Sequence, residues 1–326
     1  MKSPFAPCDA IKKAERRTLK YRGEEYSYLY QYYQCEQTGL TFTTEDTDNV
    51  SILQVYNQYR SAHNIPYASE IRQMRKAYGI SAAKMSLILG WGENQYRLYE
   101  NGDMPSLNNG KQLRAIQKPS VFITYVEESS LEEKEKEQIK ERALHSPYAE
   151  DAATAFVRRM IFGHTSGAYQ GYTSPSLSKL KNVMLYFISK MGRVFQTKMN
   201  KLLFYADFLS YREYAHGITG LSYVAHHFGP VPEHWDKVFS LTDDINKEVI
   251  LCQGGYEGYV LTSEMSYDEA SFTPQEIDIL QRVADHFAPY SPRQISEESH
   301  KEDAWKDHIE GHKLIPYSYA FRLKAV

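Results

Sequence analysis

Apolar and aromatic side chains in this chain follow two different periods, and the first switch between them falls near Val50. Before it, Tyr26, Tyr28, Tyr30 and Tyr32 recur at every second position in YRGEEYSYLYQYYQC, the spacing of a strand that shows one face. Arg22-Gly23 supplies a turn ahead of that strand, and GLTFTTEDTD reads as a third short strand. After Val50 the spacing becomes three and four. NVSILQVYNQYRSAHN reads as one helix, closed by Pro66, and ASEIRQMRKAYG, SAAKMSLILG, ENQYRLYENG and SLNNGKQLRAIQK read as four more. Strands and helices in separate stretches predict an α+β chain rather than alternating β-α units.

The remaining boundaries follow from composition. Residues 1–48 form a small β module, and 49–145 a helical domain with a trailing helix. Residues 146–176 (SPYAEDAATAFVRRMIFGHTSGAYQGYTSPS) shift to small residues, glycine and serine; they form a linker with one short helix, Glu150–Phe162. The charge run Glu132–Arg142 reads as a solvated helix or connector in preference to a binding tail. Residues 177–326 form a second, mainly helical domain with a small β-sheet. LSKLKNVMLYFISKMG turns Leu180, Val183, Phe187 and Met191 inward and ends on Gly192. TKMNKLLFYADFLSYREYAHG follows, with Thr197 as its N-cap and an inward stripe of Met199, Leu202, Leu203, Ala206 and Leu209. ITGLSYVAHHFGPV reads as a strand that a Gly-Pro stops. A pair of strands is expected about Gly254-Gly255, and Thr273 with Glu276 makes a capping box for TPQEIDILQRVADHF.

Bulk properties exclude several classes. A net charge of −3 rules out a global polyanion binder, so any nucleic-acid site must be local. Three cysteines (Cys8, Cys35, Cys252) make no disulfide framework and fit a reducing cytoplasm. MKSPFAPCDAIKK lacks an apolar signal segment, and no run is long enough for a membrane span. Tyrosine stands at 27 residues, a side chain that serves both half-buried strands and protein interfaces.

Residues 67–106 have the layout of a helix-turn-helix: helix, glycine turn, helix, glycine turn, helix. Ser81 is a good N-cap for the second helix. In the third, Tyr96 and Tyr99 pack inward, which leaves Asn94, Gln95 and Arg97 outward near its start. Asn and Gln fork onto adenine, and Arg onto guanine. From Ala68 to Lys118 eight Lys and Arg stand against four Asp and Glu, a local net of +4 that includes Lys84. Asn94, Gln95, Arg97 and Lys84 are therefore the candidate DNA-binding residues. Arg75 and Glu100 are set aside as an ion pair between the first and third helices. A three-helix bundle with a charged face is the bland alternative.

Residues 1–118 resemble the MqsA-type antitoxins, which join a zinc-binding module to a helix-turn-helix. The resemblance implies two CxxC pairs, yet Cys8 opens CDAI and Cys35 opens CEQT, and each pair has lost its second cysteine. Two thiolates do not complete a tetrahedral site, so no zinc is expected in this degenerate zinc-finger-like module. Leu98 also stands where the family usually places a base-reading arginine, with Arg97 one position earlier.

HHFGPVPEHW (His226–Trp235) invites a metal or catalytic reading. His226 and His227 are adjacent in an expected strand and so point to opposite faces, and His234 lies beyond two prolines. No HExxH, paired carboxylate or GxSxG accompanies them, so no enzyme, metal or cofactor is expected. KLLFYADFLSYREYAHGITGLSYVAHHFGPVP (Lys201–Pro232), with SHKEDAW (Ser299–Trp305) and IPYSYAF after it, closely resembles the Panacea, or SocA-like, antitoxin domain over about residues 177–321.

The combination with a helix-turn-helix resembles the PanA-type antitoxins. It implies an antitoxin whose C-terminal domain neutralises a cognate protein toxin by direct contact; paired toxins of the family include small alarmone-synthetase-like enzymes. The front half would bind operator DNA for autoregulation, as a cytoplasmic homodimer. Tyr205, Asp207, Tyr211, Tyr214, Tyr223, Phe228, Pro230 and Trp235 are the candidate toxin contacts. Each aromatic is also a candidate core residue, and Asp207 is alternatively a structural carboxylate bonded by the ITG turn. His300 and Trp305 are expected to pack the C-terminal segment. A DNA-binding regulator without a toxin partner and a protease adaptor are the competing functions.

Overall fold

The computed structural model describes residues 1–163, 167–240, 242, 244–251 and 257–326. Two compact units emerge: Met1–Val55 with Val157–Val326, and Tyr56–Phe156. The fold class is α+β, with small antiparallel sheets among many helices.

The chain opens with β1 (Ala10–Tyr21) and β2 (Glu24–Cys35), a long antiparallel hairpin turned at Arg22-Gly23, with β3 (Thr41–Phe42) paired to the end of β2. α1 follows (Glu45–Ala62). Its side chains take the place of a further strand along β2. Gln54 accepts from the Leu29 N–H at 3.0 Å and donates to the Leu29 carbonyl at 2.9 Å, and Ser51 accepts from the Gln31 N–H. Gln31 is buried and reaches the Arg212 carbonyl at 3.2 Å, so the hairpin packs within the unit that holds the C-terminal half. On the other face of β2, Tyr30 stacks on Tyr32, and the Arg17 guanidinium lies 3.5 Å over the Tyr30 ring.

The second unit holds α2 (Ala68–Ala77), α3 (Ala82–Ile88), α4 (Gln95–Glu100), α5 (Leu107–Ala115), α6 (Pro119–Glu128) and α7 (Glu133–Leu144). Local chemistry sets these boundaries. Ser81 accepts from the Lys84 N–H as an N-cap, Ser106 does the same for α5, and Pro119 opens α6. Ile71, Met74, Tyr78, Met85, Tyr96 and Leu113 share one core with Phe122, Val126 and Ile139. The charge run is α7, whose Ile139 and Ala143 are buried while its acidic residues face water. Arg75 pairs with the buried Glu100 at 2.6 Å, joining α2 to α4.

Next come α8 (Ala152–Phe162), α9 (Leu177–Met191), β4 (Val194–Phe195) and α10 (Gln196–Tyr214). α9 ends on Gly192 at φ 74°, a conformation that suits glycine. α10 starts one residue before Thr197, with Phe195 at its N-cap, so Thr197 is a helical residue and not the cap. The expected one-sided stripe is also too narrow. Every residue from Lys198 to Tyr211 is buried, which makes α10 the central helix of its unit.

Around it lie β5 (Tyr223–His226), β6 (Gly229–Pro232), α11 (Trp235–Val238), β7 (Asn246–Leu251), β8 (Glu257–Thr262), α12 (Pro274–Phe287), α13 (Pro292–Ser299) and α14 (Asp303–Lys306). β5 and β6 form a two-stranded hairpin, and β4-β8-β7 a second small sheet. The Thr273–Glu276 capping box is present in both directions, at 3.2 and 2.8 Å. Gly254-Gly255 and Cys252 lie outside the described residues.

Candidate partner-binding surface

α10 carries two ionisable side chains inside an apolar stretch, Lys201 and Asp207, and both are fully buried. Each holds one side of the β5–β6 hairpin. Asp207 accepts from the N–H groups of Ile218 (2.6 Å) and Thr219 (2.8 Å), from the Thr219 hydroxyl (2.5 Å) and from the Tyr223 hydroxyl (2.7 Å). The ITG turn is thus wrapped on one carboxylate. Burial pushes the Asp207 carboxyl up from its ordinary range, against the opposing pull of the Thr219, Tyr223 and Ile218 hydrogen bonds. Lys201 donates to the Pro230 carbonyl at 2.9 Å, and burial lowers its ammonium to about 7. Gly229, at φ 96°, lies so close that a Cβ there would sit 2.7 Å from Lys201 Cε and 2.2 Å from Ser299 Oγ. Only glycine fits that backbone.

The Gly-Pro therefore does not stop the strand. It opens the returning strand: His226 pairs with Gly229, and His227-Phe228 form the two-residue turn between them. The two prolines stand in a two-stranded sheet, where a missing N–H costs little. The opposite-face argument for His226 and His227 fails for the same reason. His227 has left the strand, and the two rings lie 5.5 Å apart.

The hairpin tip presents an aromatic cluster. Phe228 is 66% exposed and Trp235 36% exposed, and both lie about His226, at ring distances of 5.9 and 6.2 Å. His312, remote in sequence, packs 4.7 Å from His227 and donates its Nδ1–H to the Ala225 carbonyl at 2.8 Å. Trp305 braces the tip from behind, donating its indole N–H to the His226 carbonyl at 2.7 Å and stacking on His300 at 4.2 Å, the packing role expected of that pair. Desolvation lowers the His226 imidazole below its usual value, helped by His227, His312 and Lys201. His234 sits at the start of α11 and points to Gly163. Among the described residues no three His, Cys, Asp or Glu side chains are grouped to hold a metal ion.

Of the eight sequence candidates, Phe228 and Trp235 are on the surface and Tyr214 is half-buried. The other five are interior residues. Tyr205 packs on Phe287 at 4.6 Å with its hydroxyl on Glu302, and Tyr211 lies between Tyr172, Tyr317 and Phe321. Asp207 and Tyr223 bond each other in the core, and Pro230 is covered. Sequence reasoning missed Lys201, although a lysine inside the apolar stripe is as conspicuous as Asp207, and it missed His312, for which no local signal exists.

In the other unit, Asn94 and Arg97 are exposed at the start of α4, and Gln95 is half-exposed beside them. Tyr96 and Tyr99 are buried behind them, Tyr96 donating to the Ile71 carbonyl at 2.8 Å. Lys84 is half-exposed and tied to Glu135, which compensates its charge. Leu98, at 44% exposure, shares the outer surface with Arg97.

Among the described residues no helix is long and apolar enough to cross a membrane. No curated protein and no solved structure matches the chain. A family model does. Residues 199–306, which hold Lys201, Asp207, the ITG turn, the β5–β6 hairpin and Trp305, match the antitoxin SocA-like, Panacea domain, and this part of the chain is a domain of that family.

Proposed function

We propose that the chain is an antitoxin whose C-terminal domain neutralises a cognate protein toxin by covering it, with the hairpin tip as the centre of the contact. The observation that carries this reading is the exposed Phe228–Trp235 cluster on a hairpin fixed from below by Lys201 and Asp207. Large aromatic side chains on a pre-ordered surface bind at low entropic cost. Neutralisation here is occlusion, and the chain carries out no turnover of its own. The test is co-expression with the product of the adjacent gene. That product should be toxic alone, harmless with this chain, and co-purify with it. Phe228→Ala with Trp235→Ala should weaken the complex by about 100-fold, or about 2.7 kcal/mol, at unchanged melting temperature. Full affinity in the double variant removes the tip from the interface, and a neighbour that is harmless alone removes the antitoxin reading. An unchanged partner half-life separates occlusion from delivery to a protease.

A second activity is favoured by α2–α4. The α4 start places Asn94 and Arg97 in solvent on a bundle whose core includes Tyr96, as a recognition helix in the major groove requires. In this reading the unit binds operator DNA as a homodimer in the cytoplasm and represses its own operon. A gel shift with the upstream region should be lost on raising salt, and should be lost at low salt in Asn94→Ala with Arg97→Ala. A shift that survives both changes refutes it. A regulator with no toxin partner would give the gel shift without the co-purification.

A further inference from the structure

The first nine residues fold back onto the base of the β1–β2 hairpin. The Ala10 N–H donates to the Met1 carbonyl at 2.8 Å, the Ser3 N–H to the Cys8 carbonyl at 3.0 Å, and the Glu36 N–H to the Asp9 carbonyl at 3.3 Å. Lys2 and Asp9 close the loop with an isolated bridge and an ion pair, and Phe5 packs edge-on against Phe42. This loop carries Cys8 to the end of β2, where its Sγ lies 3.3 Å from the Sγ of Cys35. Both are free thiols. Cys8 is partly exposed and Cys35 is buried. The turn after Cys35 is held by the Cys35 N–H on the Leu40 carbonyl and the Gly39 N–H on the Cys35 carbonyl, each at 2.9 Å.

We propose that Cys8 and Cys35 are a peroxide-sensitive thiol pair that closes to a disulfide and staples the N-terminal loop to the hairpin. Their sulfurs are already in van der Waals contact at 3.3 Å, so closure to a disulfide needs a further approach of only about 1.3 Å. Cys35 is suited to be the attacking sulfur. Hydrogen bonds from the Ser3 hydroxyl, the Thr38 hydroxyl, the Thr38 N–H and the Cys8 thiol stabilise its thiolate and hold its thiol down at about 6. Cys8 is suited to meet the oxidant because it is the sulfur that solvent reaches.

The chemistry balances with hydrogen peroxide as the oxidant. The Cys8 thiolate attacks one peroxide oxygen. An S–O bond forms, the O–O bond breaks, sulfur is oxidised to the sulfenic acid, and the departing hydroxide takes up the thiol proton as water. The Cys35 thiolate then attacks the Cys8 sulfur. The S–S bond forms, the S–O bond breaks, and hydroxide leaves to be protonated by the proton Cys35 had released. Two thiols and one peroxide become one disulfide and two waters.

The experiment uses the full chain, reduced, freed of reductant and treated with hydrogen peroxide. Wild type should lose two of its three reactive thiols and two hydrogens in mass, and a non-reducing digest should join the Cys8 and Cys35 peptides. A Cys252→Ser variant should behave like wild type. Cys8→Ser should lose the cross-link. Cys35→Ser should leave Cys8 as a sulfenic acid that dimedone traps, a readout that reports the pair even if the buried substitution loosens the hairpin. A cross-link through Cys252, or retention of all thiols at a peroxide dose that oxidises free cysteine, overturns the proposal.

Discussion

Asp207 gathers four donors from one turn and one strand, so its removal has a calculable cost. In Asp207→Ala the Thr219 and Tyr223 hydroxyls can rotate towards other acceptors, but the Ile218 and Thr219 N–H groups are fixed by the backbone and lose their acceptor. An unsatisfied buried donor costs about 1–3 kcal/mol, so the two amides alone cost about 2–6 kcal/mol, with a central value of about 4 kcal/mol. Asp207→Asn keeps an oxygen for both amides and should cost only about 1 kcal/mol. For a unit of this size about 4 kcal/mol lowers the melting temperature by about 8–16 °C. The chain has three tryptophans, of which Trp91 lies in the Tyr56–Phe156 unit and Trp235 and Trp305 in the other. In a Trp91→Phe background, tryptophan fluorescence during urea unfolding therefore reports the unit that contains Asp207. The reasoning is refuted if Asp207→Ala unfolds within 1 kcal/mol of its background, or if Asn is as damaging as Ala.

Two further predictions concern the other side of the hairpin. Lys201 titrates at about 7 in the folded chain and about 10.4 when unfolded, so between these values the unfolded state binds more protons and stability rises with pH. Lys201→Met should remove that rise, so the stability difference between variant and wild type should shift against the variant by about 3 kcal/mol between pH 7 and pH 9.5, and a pH-independent difference in urea midpoints would reject the buried-ammonium account. Gly229→Ala should cost at least about 3 kcal/mol, because its Cβ would meet Ser299 and Lys201 in a left-handed backbone, whereas Gly92→Ala, which faces open space, should be tolerated in the same urea titration.

What the sequence discloses here divides by the range of the interaction. Features decided within a few residues are readable: the Ser81 cap, the Thr273–Glu276 box, the Arg22-Gly23 turn and the Gly192 terminator each lie where the local pattern puts them. Tyr96 and Tyr99 are readable as core for the same reason, since helical spacing alone turns them inward. α10 is misread in width because Lys198 and Lys201 look like a solvated face. Their partners are the Ala288, Tyr290 and Pro230 carbonyls, which only the tertiary fold supplies, whereas the ITG turn, close in sequence, could be named as a partner of Asp207. The hairpin tip is half-readable. The glycine and prolines announce a constrained turn, but whether Gly229 ends a strand or begins one depends on the room that Ser299 and Lys201 leave for it. The outcome for Tyr205 and Tyr211 has the same origin, because an aromatic on a helix covered on every side has no solvent face to occupy, and Tyr223 on β5 is turned inward onto Asp207.

The all-round burial of α10 has a consequence for how this domain moves. A surface helix can fray or swing out while its neighbours stay folded, but the amides of Lys198–Tyr211 meet deuterium only when the packing on every side has gone. Their exchange rates should converge on a single slow value set by global opening, while the amides of the exposed β7 strand turn over much sooner. The hairpin tip is thus mounted on the last part of its domain to come apart.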